Sequence, residues 1–155
     1  MSKGHPLKKG LIQIYTGNGK GKTTASLGLA FRAAGHGFKV RILQFMKGST
    51  VYGELESAKR LSPEITIEQV GRDTFVSKSN PDPVDVAMAQ AGFEKARDIL
   101  LSGDYDLVIL DELNCAVDFG LIPVDEVKEL IRRKPAHTEL LSLIHISEPT
   151  RLRRI

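Results

Sequence analysis

A chain of 155 residues, 41% apolar and 26% charged, has the size and composition of one soluble globular domain. Its formal charge of +3 is raised by the closing RLRRI, which leaves too little basic excess for a nucleic-acid surface. Cys115 is the single cysteine and the four histidines are scattered, which argues against an internal disulfide or structural zinc and fits a reducing cytoplasm; no apolar run approaches the roughly 20 residues that span a bilayer.

The opening MSKGHPLKKG is polar and basic, so residues 1–10 are expected to be a flexible arm with no signal peptide. LIQIYT (11–16) reads as a strand and KTTASLGLAFRAAGHG (22–37) as a helix, with Gly35 and Gly37 suited to its end. KVRILQFM (39–46) is a second strand, GELESAKRL (53–61) a short amphipathic helix and ITIEQV (65–70) a third strand. GRDTFVSKSNPDP (71–83) is a long loop, of the length that often binds ligands. VDVAMAQAGFEKARDILLSG (84–103) is the longest helix, stopped by Gly103. YDLVILDEL (105–113) is a buried strand ending in acids, and PVDEVKELIRRK (123–134) a helix with proline at its first position. Strands alternating with helices predict an α/β fold: a single P-loop-type, RecA-like domain with a mostly parallel sheet and helices on both faces.

Residues 141–151, LSLIHISEPTR, resemble the translation of a transposase sequencing adapter, codon for codon. The domain is therefore expected to occupy 11–140 and to be incomplete at its C-terminal end, with 141–155 a non-native tail. A sheet lacking a late strand would expose an edge and invite aggregation.

TGNGKGKTT (16–24) lies between the first strand and first helix. A phosphate-binding loop usually reads G-x-x-x-x-G-K-[ST]. Gly21, Lys22 and Thr23 fill its last three places, whereas Thr16 stands where the first glycine belongs. Gly17, Gly19 and Gly21 still let backbone N–H groups turn inward around phosphate oxygens. The helix N-terminus adds positive potential, Lys22 a point charge, and Thr23 a hydroxyl for Mg²⁺ (or Mn²⁺). Asp111 and Glu112 end the strand LVILDE (107–112), where a carboxylate completes the metal shell; Glu112 is favoured as the closer ligand. Together these features predict binding of Mg-ATP. His36, Cys115 and the helix EVKELIRRK read as structural.

The stretch YTGNGKGKTTASLGLAFRAAGHGFKVRILQFMKG (15–48), with VILDELNCAVDFGLIP (108–123) and RKPAHTEL (133–140), resembles the ATP:corrinoid adenosyltransferases. The resemblance implies that Co(I) of a corrinoid attacks the 5′ carbon of ATP and inorganic triphosphate leaves, as in adenosylcobalamin synthesis or corrinoid salvage. It implies a reduced flavoprotein as electron donor, a homodimer, and ATP lying in reversed direction across the loop, while the charge and the short apolar runs predict no nucleic-acid or membrane partner. On this reading Gly17, Asn18, Gly19, Lys20, Gly21, Lys22, Thr23 and Thr24 cradle the triphosphate. Lys20 and Lys22 stabilise the leaving group, and Phe75, Arg72 and Lys47 are candidates for the corrinoid side. Phe75 is the apolar side chain that would exclude the lower axial ligand of cobalt. The alternatives are another P-loop enzyme (a small-molecule kinase or ATPase) and a regulatory module that binds ATP without turnover.

Overall fold

The computed structural model describes residues 7–145 apart from positions 18, 47, 49–51 and 73–75, with backbone alone at 144–145. Lys47, Phe75 and Asn18, singled out above, and residues 146–155 of the tail lie outside the described residues. The elements run β1 (Ile12–Gly17), α1 (Lys22–Gly35), β2 (Val40–Phe45), α2 (Gly53–Arg60), β3 (Ile65–Val70), α3 (Pro83–Ser102), β4 (Leu107–Asp111), α4 (Leu113–Asp118), α5 (Val124–Arg132) and β5 (Glu139–His145). The five strands form one sheet in the order β1-β5-β4-β2-β3, every pairing parallel. The expected α/β domain is observed, and no described helix is long and apolar enough to cross a membrane.

Alternation along the strands sends successive side chains to opposite faces. Val40, Ile42, Ile65, Leu107, Ile109, Leu141 and Leu143 pack under α1 and α2 with Ala30 and Ala58. Leu43, Phe45, Val108, Leu110 and Leu140 pack on the other face under α3, α4 and α5, around Phe93, Leu100, Leu113 and Leu130. Both faces of β2 and β4 are covered, which is why β4 reads as a continuous apolar run up to Asp111. At the sheet edge, β1 keeps Ile12 and Ile14 about half exposed (47% and 52%).

Three readings from sequence are corrected. Pro123 is the residue before α5, not its first; proline occupies the first helical position in α3 instead, at Pro83, behind an Asp82 side chain that accepts from the Val84 N–H. The six-residue α4 was not foreseen. The tail was not expected to enter the sheet either, yet Leu141–His145 completes β5, which lies between β1 and β4. Leu140, Leu141 and Leu143 are each at most 2% exposed, so the apolar pattern of this stretch meets the needs of a buried parallel strand whatever its origin. Ser142 meets them less well, because its hydroxyl is buried without a hydrogen-bond partner.

The N-terminal ends of the strands are closed by side chains bonded to backbone. Lys134 Nζ donates to the carbonyls of Gly10 (3.0 Å), Pro135 (2.9 Å) and Thr138 (2.6 Å), and burial pushes its ammonium below the usual lysine range. Asp106 accepts from the Lys39 N–H at 2.8 Å, and the Thr138 hydroxyl donates to the Tyr105 carbonyl at 3.0 Å. Gly10 is pressed so closely on this joint that a Cβ there would fall 2.1 Å from the Thr138 oxygen.

Candidate active site

At the opposite end of the sheet the chain leaves β1 through left-handed geometry. Gly17 has φ 137° and Gly21 φ 105°, conformations that a side chain resists. These two glycines turn the backbone from strand to helix within four residues, so α1 begins at Lys22 with its free N–H groups facing the loop. Lys22 Nζ donates to the carbonyls of Gly17 (2.7 Å) and Gly19 (2.5 Å), closing the loop on its own backbone. The Thr23 hydroxyl lies 3.2 and 3.4 Å from the two Asp111 carboxylate oxygens. Ser26, 1% exposed, donates its hydroxyl to the Thr23 carbonyl at 2.7 Å and holds that turn.

Register explains why Thr23 and Asp111 meet across 88 residues. Asp111 is the last residue of β4, and α1 runs back over the same face of the sheet. A cleft of about 190 Å³ opens there, lined among others by Lys20, Lys22, Thr23, Thr24, Asp111 and Glu112. The sequence favoured Glu112 as the closer acid, whereas the structure puts Asp111 against Thr23. Glu112 occupies the residue before α4 in left-handed conformation, φ 61°, and borders the same cleft. Among the described residues no group of three or more His, Cys, Asp or Glu gathers. The donor set is therefore a hydroxyl and one or two carboxylates, the oxygen-only kind that suits Mg²⁺ when phosphate oxygens and water supply the rest.

Arg72 stands apart from this cluster. Its Nε donates to Asp85 at 2.7 Å and its Nη2 lies 3.4 Å from Asp82. The Asp85 carboxylate, 7% exposed, raises the guanidinium above its ordinary value. Asp82 is held below the usual carboxylate range, first by the Val84 N–H and then by Arg72. Arg72 thus ties the start of the long loop to the first turn of α3.

One polar group escaped the sequence reading. Gln44, 0% exposed, sits beside Asp111 in register, donates to Glu54 at 3.3 Å and accepts from Gln69 at 3.3 Å. Its signal was visible as the one amide in an otherwise apolar inward row of KVRILQF.

The chain matches the sequence profile of the family described as ATP:corrinoid adenosyltransferase BtuR/CobO/CobP over residues 8–142. It is 36% identical over 129 residues to the corrinoid adenosyltransferase of Pseudomonas aeruginosa, covering 83% of this chain and 63% of that protein. It is 35% identical over 134 residues to corrinoid adenosyltransferase CobA of Salmonella typhimurium, covering 86% and 67%. An uncharacterized protein of Nostoc is 39% identical over 140 residues, 84% of this chain and 37% of that protein. The chain thus spans less than two thirds of the Nostoc and Pseudomonas proteins. With the loop, its acid strand and most of the sheet inside the matched region, the chain belongs to the ATP:corrinoid adenosyltransferase family.

Proposed function

We propose that residues 11–140 form the adenosyl-transferring domain, which moves the 5′-deoxyadenosyl group of ATP to the Co(I) centre of a corrinoid and releases triphosphate. The cobalt electron pair forms the bond to C5′, the C5′–O bond breaks, and its electron pair leaves on the triphosphate. The observation that carries this reading is the Thr23–Asp111 contact (3.2 Å) at the foot of a glycine loop bearing two lysines. Such a site grips a polyphosphate firmly and can stabilise charge growing on the bridging oxygen. Bound Mg²⁺ or Mn²⁺, held by Thr23 and Asp111 with Glu112 nearby, would supply further charge neutralisation to the leaving group.

The remaining roles are distributed along the loop. Lys22 exchanges the Gly17 and Gly19 carbonyls for phosphate oxygens as the nucleotide enters, and Lys20 and Thr24 border the same cleft. Asn18 belongs to the cradle by position, and Lys47 and Phe75 are assigned to the corrinoid side with the loop that Arg72 anchors. A reduced flavoprotein donor, a homodimer and a cytoplasmic location complete the reading. Residues 141–155 are read as non-native in origin, and the orphan Ser142 hydroxyl supports that.

The test is anaerobic: chemically reduced corrinoid, Mg-ATP and protein, followed by Co(I) absorbance and the phosphate product. A light-sensitive alkylcorrinoid with triphosphate is the expected outcome. Orthophosphate would instead indicate a kinase or ATPase, and bound but unconsumed ATP a regulatory module. Repeating the assay with a relative's C-terminal segment in place of 141–155 separates a damaged end from a wrong assignment.

A further inference from the structure

Sideways from Asp111, one of the residues lining the cleft, the sheet continues through Gln44 and Gln69. Across β4, β2 and β3 the last inward row reads Asp111, Gln44, Gln69, whereas the row beneath reads Ile109, Ile42, Ile67. The change from isoleucine to amide and carboxylate is complete in one step, at the ligand end of the strands. A buried polar row is not needed for stability, since apolar residues of similar volume often replace such networks without loss. Gln44 uses one amide hydrogen on Glu54 and its oxygen on Gln69, which leaves acceptor positions on the Glu54 carboxylate.

Glu54 lies in the first turn of α2, where the helix N-terminus favours a carboxylate. Strand spacing of about 4.8 Å places Gln44 one step from Asp111 across the sheet, and Glu54 lies one hydrogen bond further. In strand order Lys20, Lys22 and the α1 N-terminus thus stand on one side of Asp111, and the Glu54 carboxylate lies beyond Gln44 on the other. Phosphates are drawn to the first and repelled by the second. What remains of a nucleoside triphosphate within reach is its ribose, a vicinal diol, and a carboxylate accepts from such a diol at a sheet's ligand edge in other α/β nucleotide sites. We infer that Glu54 binds the ribose hydroxyls of the nucleotide whose phosphates occupy the loop, with Gln44 and Gln69 as positioning residues that aim it. The inference rests on the proposed reading of the loop as an ATP site.

The experiment is calorimetric titration of the full chain with Mg-ATP, Mg-2′-deoxy-ATP, Mg-3′-deoxy-ATP and Mg-triphosphate, repeated with Glu54→Ala and Glu54→Gln. Hydrogen bonds to a charged acceptor lead us to expect a preference for ATP over at least one deoxy analogue of about 10- to 100-fold. Glu54→Ala should reduce that preference to near unity and leave triphosphate affinity unchanged. Gln44→Leu should weaken the preference in part, by releasing Glu54 from its aim. Equal affinity of the unaltered chain for ATP and both analogues, or an unchanged preference in Glu54→Ala, overturns the inference while leaving the ATP site standing. Loss of triphosphate binding in both Glu54 variants also counts against it, because it gives Glu54 no part in the loop. A chain that binds triphosphate but not ATP overturns the nucleotide reading itself.

Discussion

The two ends of the sheet solve the same covalent problem in opposite ways. At the N-terminal end the left-handed positions are glycines, Gly37 (φ 78°) and Gly103 (φ 70°), and the charged groups are engaged in closing the joint, Lys134 on three carbonyls and Asp106 on the Lys39 amide. At the C-terminal end two left-handed positions carry side chains, Met46 (φ 60°) after β2 and Glu112 (φ 61°) after β4. Lysine, threonine and carboxylate there line an open cleft. Strain of this kind persists where the surroundings hold it, and it concentrates at functional sites. One end is built for permanence and the other to receive something.

Substitutions can break that contrast. Lys22→Ala should reduce adenosyl transfer by about 10²- to 10³-fold, the usual loss when one charge-stabilising donor is removed, with the melting temperature unchanged; a large fall in melting temperature would make the loop end structural too. Gly10→Ala should do the reverse. Its Cβ would meet the Thr138 carbonyl at 2.1 Å, so denaturant titration should show a loss toward the upper end of about 1–3 kcal/mol, with ATP affinity per folded molecule retained.

Smaller effects sharpen the comparison. Glu112→Gly should stabilise the fold by about 1 kcal/mol through relief of left-handed strain and weaken Mg-ATP binding, a trade visible by pairing thermal melts with titration calorimetry. Ser142→Ala removes a buried hydroxyl that has no partner and should stabilise by about 1 kcal/mol, wherever in the sheet function resides. The smallest effect concerns acid. Asp82 is held below its ordinary 3.8 by the Val84 N–H and Arg72, so its contribution is fully present above that value and lost as pH falls through the lower folded one. Urea midpoints at pH 5 and pH 3 should therefore differ less in Asp82→Asn than in the unaltered chain.

What could be read from sequence was local. Gly17, Gly21, Lys22 and Thr23 declare themselves within eight residues, and Asp111 by ending an apolar run; all eight strand and helix assignments fell within two residues of the structure for the same reason. What escaped depends on partners far along the chain. Nothing in KVRILQF says that Gln44 faces Glu54 and Gln69, and nothing around Arg72 says that Asp85 will engage it. The helix α4 was missed because it follows β4 with only Glu112 between them, with no glycine or proline to mark its start. Leu141–His145 was set aside on grounds of origin, yet a buried strand selects for apolar pattern alone, and the pattern was there.

The edge position of β1 has a consequence in time. Its sheet partner is β5, with Ile12 opposite Leu140 and Gly17 opposite His145. The strand that carries the glycine loop thus precedes its sheet partner by more than a hundred residues. Contacts of such sequence separation form slowly, and until β5 arrives, Leu11, Ile12 and Ile14 face water on an unpaired strand. During translation the glycine loop therefore waits for β5 before its strand acquires a sheet partner, and nascent chains at that stage are natural clients for a chaperone that binds extended apolar segments.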